Sequence, residues 1–406
     1  MQQFLDGLIA QGWFREFPRD LVYAGGMVVF AAVVLLGYVL PFSGIVTWAE
    51  RRIAGRIQSR IGPNRVGPAG FLQWLADGVK NLLKEDIIPN AADAPLFKLA
   101  PYLVFVGFFG TFVALPFGSA LVIADLNVGI LYVTAVTGFV VVGILMAGWS
   151  SNNKWSLIGG IRSAAQIVSY EIPAGLSIFP IVALSGTLSL QGITRAQGWE
   201  PWNWYLFHSP FTFLAFFVFL ISALAEGNRT PFDLPEAETE LVSGFSTEYS
   251  GMRYTMFYMA EFGNLYVIGV IVSTLFLGGW QVPAPFHGGP ILRAVAELAC
   301  IQVKALFWVF FVIWVRWTLP RIRVDQMMTM CWKYLVPISF VNLLGVVVWM
   351  TIWPEDTIIG RGIMFLVGVG IVLLFFRRVV FHIRRARMLL GFSPMLPGDH
   401  LIYERR

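Results

Sequence analysis

Windows of about 20 apolar residues, the length that crosses roughly 30 Å of hydrocarbon, recur along this chain between shorter polar connections. They fall near 22–46, 99–121, 127–149, 165–188, 210–226, 255–278, 297–317, 333–353 and 361–382, which predicts an all-α polytopic membrane protein with about nine transmembrane helices. The first run begins at Leu21, too far in and too long for a cleaved signal, and Pro41 to Trp48 offers no small-residue cleavage site. It is expected to stay as an anchor.

One connection has a pattern of its own. Trp48 to Asp86 is far too basic to cross a bilayer. Glu50 to Arg60 reads as a helical extension of the first span, carrying Arg51, Arg52, Arg56 and Arg60, and GPNRVGP then breaks it. From Phe71 to Glu85 a helix restarts with Phe71, Leu72, Trp74, Leu75, Val79, Leu82 and Leu83 on one side. Gln73, Asp77, Lys80 and Lys84 fall on the other. That pattern predicts an amphipathic helix lying on the cytoplasmic membrane surface, where nearby arginines can pair with Asp77 or hold an anionic or carbonyl-bearing ligand head group.

Composition agrees, with 57% hydrophobic and 13% charged residues among 406 and a mean hydropathy of +0.70, outside the range of a soluble domain. Lys and Arg crowd alternate connections: Arg51 to Lys98, then Lys154 and Arg162, Arg229 and Arg253, Arg316 to Lys333, and Arg377 to Arg387. Only Arg15, Arg19, Arg195, Arg293 and Arg361 fall opposite, so the N-terminus is expected outside and the C-terminus in the cytoplasm. The basic pI of about 9.2 therefore reflects topology and calls for no nucleic acid. Cys300 and Cys331 lie in separate apolar runs, and His208, His287, His382 and His400 form no ligand-spaced cluster, so no metal site is expected.

The chemistry is carried by acids. Ala225 to Gly251, AEGNRTPFDLPEAETELVSGFSTEYSG, sets Glu226, Asp233, Glu236, Glu238, Glu240 and Glu248 between two hydrophobic spans. Glu171, in AQIVSYEIPAG with Pro173 two positions on, and Glu261, in TMFYMAEFGNLY, lie within spans. An ionisable group at such depth must face the bundle interior or water, and proline frees backbone carbonyls nearby. Acids in successive spans, continuing into the loop, predict a proton-accessible chain, for which Lys304 is the clear basic candidate to balance charge within the membrane.

Four blocks, AERRIAGRIQSRIGPNRVGPAGFLQWLADGVKNLLKED, AGWSSNNKWSLIGGIRSAAQIVSYE, the 225–251 loop and VRWTLPRIRVDQMM, run in order through most of the chain. With them the sequence closely resembles the family of the H subunit of bacterial NADH-quinone oxidoreductase, respiratory complex I, whose mitochondrial counterpart is NADH dehydrogenase subunit 1. The resemblance implies an eight-helix core over 1–353, with the quinone-tunnel segment at 48–86 and the acidic loop at 225–251. A C-terminal extension, 354–406, would add one helix and a basic cytoplasmic tail, which many members of the family lack.

It further implies that the chain forms the quinone-binding tunnel with peripheral-arm subunits in the bacterial inner membrane and starts the acidic proton pathway into the membrane arm. No catalytic residue or redox centre belongs to this chain alone. FMN and iron–sulfur clusters would reside in partners, which include iron–sulfur, small membrane and antiporter-like subunits, and the substrate would be ubiquinone or menaquinone. By the same resemblance Glu50, Arg51, Arg60, Asp77, Arg229 and Asp233 line or support the quinone site, and Glu171, Glu226, Glu236, Glu238, Glu240, Glu248 and Glu261 form the proton pathway. Two other classes share parts of the pattern: the membrane subunit of an energy-converting hydrogenase, which needs no quinone tunnel, and a free-standing ion antiporter.

Overall fold

The computed structural model of the protein describes residues 18–235, 238–283 and 289–352, with isolated positions between 366 and 381. Its described regular elements are all helical. Helix α1 (Arg19–Val34) runs through a π-helical turn, Leu35–Val39, into α2 (Leu40–Ile57). The first window is therefore prolonged into the basic segment as its pattern predicts, stopping at Ile57. There Ser59 takes a left-handed φ of 55°, and the Arg60 amide turns back to the Gly55 carbonyl at 2.7 Å. The Gly62 to Gly70 turn folds against that helix end, with the Arg52 guanidinium donating to the Ala69 carbonyl. Gly70, at φ +71°, lies against the Pro63 carbonyl where no side chain fits.

Helix α3 (Gln73–Leu83) follows as the expected surface helix. Leu72, Leu75, Val79, Leu82 and Leu83 are exposed along it, a face suited to the acyl boundary.

The membrane body then comprises α4 (Ala94–Thr111), α5 (Gly129–Ser150), α6 (Lys154–Ser185), α7 (Pro210–Glu226), α8 (Gly251–Phe276), α9 (Pro290–Thr318) and α10 (Val336–Ile352). Among the described residues seven stretches are long and apolar enough to cross a membrane, and α7 is a shorter apolar helix. The ninth expected window, 361–382, lies largely outside the described residues. Helix α8 is the hub: it packs against α4 and α9 and also touches α2 and α3. Every residue from Leu265 to Phe276 is buried, as a helix apolar all round requires. Helix α6 continues through Pro173 and Pro180, so the proline beside Glu171 leaves the helix intact.

Close crossings use small residues, because without a hydrophobic drive between helices in lipid, packing depends on backbones approaching. The acidic loop is seated the same way. A Cβ added to Gly159 on α6 would lie 2.7 Å from the Gly244 Cα and 2.8 Å from the Phe245 nitrogen, both backbone atoms that cannot turn aside. Gly159→Ala should therefore destabilise this seat by about 1–3 kcal/mol, lowering the thermal midpoint of the protein. Gly175→Ala, with open space around it, should not lower it, and the pair of melting curves checks the assignment.

Candidate functional site

A guanidinium only 1% exposed lies buried beyond the end of α7. Arg229 follows α7 in a turn where Asn228 has φ +49°, and its Nε lies 3.1 Å from Glu261 Oε1 on α8. Its Nη1 lies 3.6 Å from Glu50 Oε2 on α2, and its Cζ stands over the Phe262 ring, 4.1 Å from the centroid. The other Glu50 oxygen takes Arg316 Nη1, from the last turn of α9, at 2.7 Å. Two acids and two arginines thus alternate with no net charge, which is the condition for holding ions out of water.

The turn that presents Arg229 is pinned from α6. Gln166 Nε2 donates toward the Ala225 carbonyl at 2.7 Å, the Phe232 carbonyl at 2.8 Å and Asn228 Oδ1 at 3.1 Å. One amide has two protons for these three acceptors, so one bond is shared. Beyond the turn, Asp233 pairs with Arg321 at 3.2 Å, and the Ile322 amide donates to the Pro231 carbonyl at 3.1 Å. The segment after α9 is thereby tied over Arg229.

Helix α8 separates two cavities. The larger, about 630 Å³, lies between α2, α3, α8 and the loop before α8, and its lining includes Thr47, Arg51, Trp74, Asp77, Tyr258 and Phe262. That volume falls within the range of small-molecule pockets. The smaller, about 60 Å³, is lined by Glu226, Glu261, Asn264, Thr137 and Thr111 among apolar neighbours such as Phe108. It has room and polar partners for a few waters. Phe262 faces the large cavity and carries Arg229 on its ring, while Glu261, paired with Arg229, faces the small one. The ion cluster therefore touches both spaces.

At the mouth of the large cavity, Arg51 Nη1 lies 2.5 Å from Asp77 Oδ2 and Lys80 Nζ 3.5 Å from Oδ1. Gln73 donates to the same Oδ1 at 3.1 Å. Partial burial alone would raise the Asp77 carboxyl, but the hydrogen bonds from Arg51 and Gln73 and the charges of Arg51 and Lys80 hold it below its ordinary value. With a depressed folded value, the pairing is complete above the unfolded carboxylate value of about 3.9 and is lost as pH falls through the lowered one. Asp77→Asn should consequently lower the thermal midpoint by the same small amount at pH 6 and pH 8. Melting curves at both pH values check this, and a shift that differs between them contradicts it.

The other residues expected at the site are distributed unevenly. Arg60 is exposed. Glu50 and Arg51, adjacent in sequence, diverge, the first to Arg229 and Arg316 and the second to Asp77. Glu226 shares the wall of the small cavity with Thr137, and Glu171 is the charged group that acts on it. Glu248 accepts from Asn153 Nδ2 at 2.6 Å, and Glu240 is exposed and paired with Arg162 at 2.6 Å. Glu236 and the Glu238 side chain lie outside the described residues. Beside Glu248, burial pushes the Tyr249 phenol up to about 12, so it stays neutral.

Lys304 does not balance the acids. Its Nζ donates to the Leu277 and Gly279 carbonyls at 2.7 and 2.8 Å, serving the carbonyl end of α8, and the counter-charges of Glu50 and Glu261 are Arg229 and Arg316 instead. Arg316, Arg321 and Gln166 were missed as site residues, although all three lie in the quoted blocks. For the two arginines the signal is their place in VRWTLPR, at the end of a span and just beyond it. Among the described residues no group of three His, Cys, Asp or Glu could hold a metal.

The family model for NADH dehydrogenase matches residues 29–347 of this chain. The H subunit of NADH-quinone oxidoreductase from Anaeromyxobacter dehalogenans is 54% identical over 361 residues, covering 84% of this chain and 86% of the relative. The corresponding H subunits of Chlorobaculum parvum, 46% identical over 80% of this chain and 92% of the relative, and Dehalococcoides mccartyi, 48% identical over 85% and 93%, are similar over comparable lengths.

Proposed function

Since the chain belongs to the NADH dehydrogenase family, we propose that it is the membrane subunit of a proton-translocating NADH-quinone oxidoreductase and that its 630 Å³ cavity is the quinone passage. The observation that carries this reading is the contact of one buried ion cluster with both cavities. A quinone whose head reached Phe262 would lie against the ring that carries Arg229, and Arg229 is ion-paired with the acid that faces the inner cavity.

The chemistry fits that arrangement. Reducing a quinone to a quinol takes two electrons and two protons, and the electrons would come from an iron–sulfur partner docked on the cytoplasmic face. An apolar, lipid-dissolved substrate would enter beside α3, whose exposed leucines face the membrane boundary. Arg51 and Asp77 would orient the carbonyl-bearing head on its way inward. Charge developing on a partly reduced quinone would act on Arg229 at low dielectric, altering its hold on Glu261 and Glu50. Waters in the 60 Å³ cavity, with Thr137 and Asn264, would then carry the response to Glu226 and Glu171. Glu236, Glu238, Glu240 and Glu248 would continue the path at the cytoplasmic surface, with the N-terminus outside in the bacterial inner membrane.

Photolabelling with an azido-quinone tests the passage in the intact complex. Label is expected on residues 40–51, 74–84 and 254–262 and should be displaced by a tunnel inhibitor. Label confined to other subunits would refute it.

A further inference from the structure

Glu50 shares its carboxylate unequally: Arg316 holds Oε1 at 2.7 Å, whereas Arg229 is 3.6 Å from Oε2 and closer to Glu261, at 3.1 Å. Coulomb attraction falls with distance and grows in a dry interior, so the stronger partner of Glu50 decides how much of its charge is left to attract Arg229. With Arg316 in place, Arg229 rests toward Glu261 and over Phe262. Without it, a buried carboxylate lacking its near partner would draw Arg229 across to itself, off that ring and off that acid.

The position of Arg316 suits this task. It lies in the last turn of α9, where a cation is favoured by the exposed carbonyls. Its side chain is 27% exposed, which makes it the outer end of a chain that runs Arg316, Glu50, Arg229, Glu261 into the membrane. Five residues on, Arg321 holds Asp233 and the Ile322 amide holds the Pro231 carbonyl, so the backbone carrying Arg316 is fastened at two further points to the turn that carries Arg229. Arg316 itself lies outside the lining of the large cavity.

We propose that Arg316 is a positioning residue for the reaction in the large cavity: by holding Glu50 it sets Arg229 on Glu261 and Phe262, without touching the substrate. This rests on the quinone reading above. A residue acting through Arg229 alters turnover, whereas one that touches the incoming substrate alters its binding.

The test is steady-state kinetics of the assembled complex with a short-chain quinone. Arg316→Gln should lower kcat about tenfold with KM within about twofold, and Arg316→Lys, which keeps the charge, should retain at least about half of the wild-type kcat. Wild-type kinetics in Arg316→Gln, equal losses of kcat in both variants, or a raised KM at unchanged kcat would overturn the proposal. If Arg316→Gln fails to enter the complex, Arg316→Lys decides alone: at least half of wild-type kcat upholds the proposal and a lower value overturns it. Failure of the quinone reading shows separately, as absence of azido-quinone label from the cavity in the wild-type complex.

Discussion

Arg229→Ala in the assembled complex should lower inhibitor-sensitive quinone reduction at least about tenfold while leaving electron transfer from NADH to a water-soluble acceptor unchanged. The substitution turns a neutral cluster into one with a net negative charge, because Glu50 keeps Arg316 while Glu261 loses the guanidinium 3.1 Å away. Removing one member of a buried ion pair costs about 3–5 kcal/mol, so part of the loss will register as a lower thermal midpoint. Arg229→Lys should fall between wild type and alanine, since an ammonium supplies the charge but cannot span Glu50 and Glu261 while also covering the Phe262 ring. Normal quinone-dependent turnover in Arg229→Ala would remove this residue from the mechanism.

Glu226→Gln is expected to uncouple the protein rather than silence its electron transfer. The change keeps shape and the contact with Thr137 but removes a titrating group from the wall of the 60 Å³ cavity. Proton translocation per quinone reduced should drop by about half or more, with the complex still assembled and turnover only severalfold lower. Glu240→Gln should have a smaller effect, because that carboxylate is exposed and its pairing with Arg162 is of the kind worth about 0–1 kcal/mol. Proton uptake against quinol formation in proteoliposomes measures both. An unaltered ratio in Glu226→Gln would leave Glu226 a structural residue.

What could be read from the sequence, and what could not, follows from the range of each interaction. Apolar windows and the amphipathic spacing of residues 71–85 are local, and the structure places helices at the eight windows within its described residues and a surface helix at Gln73–Leu83. The acids too were visible as polar residues in apolar surroundings. Their partners were not, because Arg316 lies far along the chain from Glu50 and only the packing of α9 against α2 brings them together.

Adjacency was misleading for Glu50 and Arg51. Successive residues on a helix point about 100° apart, so one enters the ion cluster and the other the cavity mouth. Lys304 looked like a counter-ion because depth in the membrane can be read from the sequence but direction around a helix cannot. It points to the carbonyl end of α8.

Under the proposed function, reduction in the large cavity is felt by Glu261 through Arg229, and the measurement to make is the infrared difference spectrum of the carboxyl region upon quinone reduction. A carboxyl band change is expected in the wild-type complex, lost in Glu261→Gln and altered in Arg229→Lys. A spectrum identical in all three would contradict it.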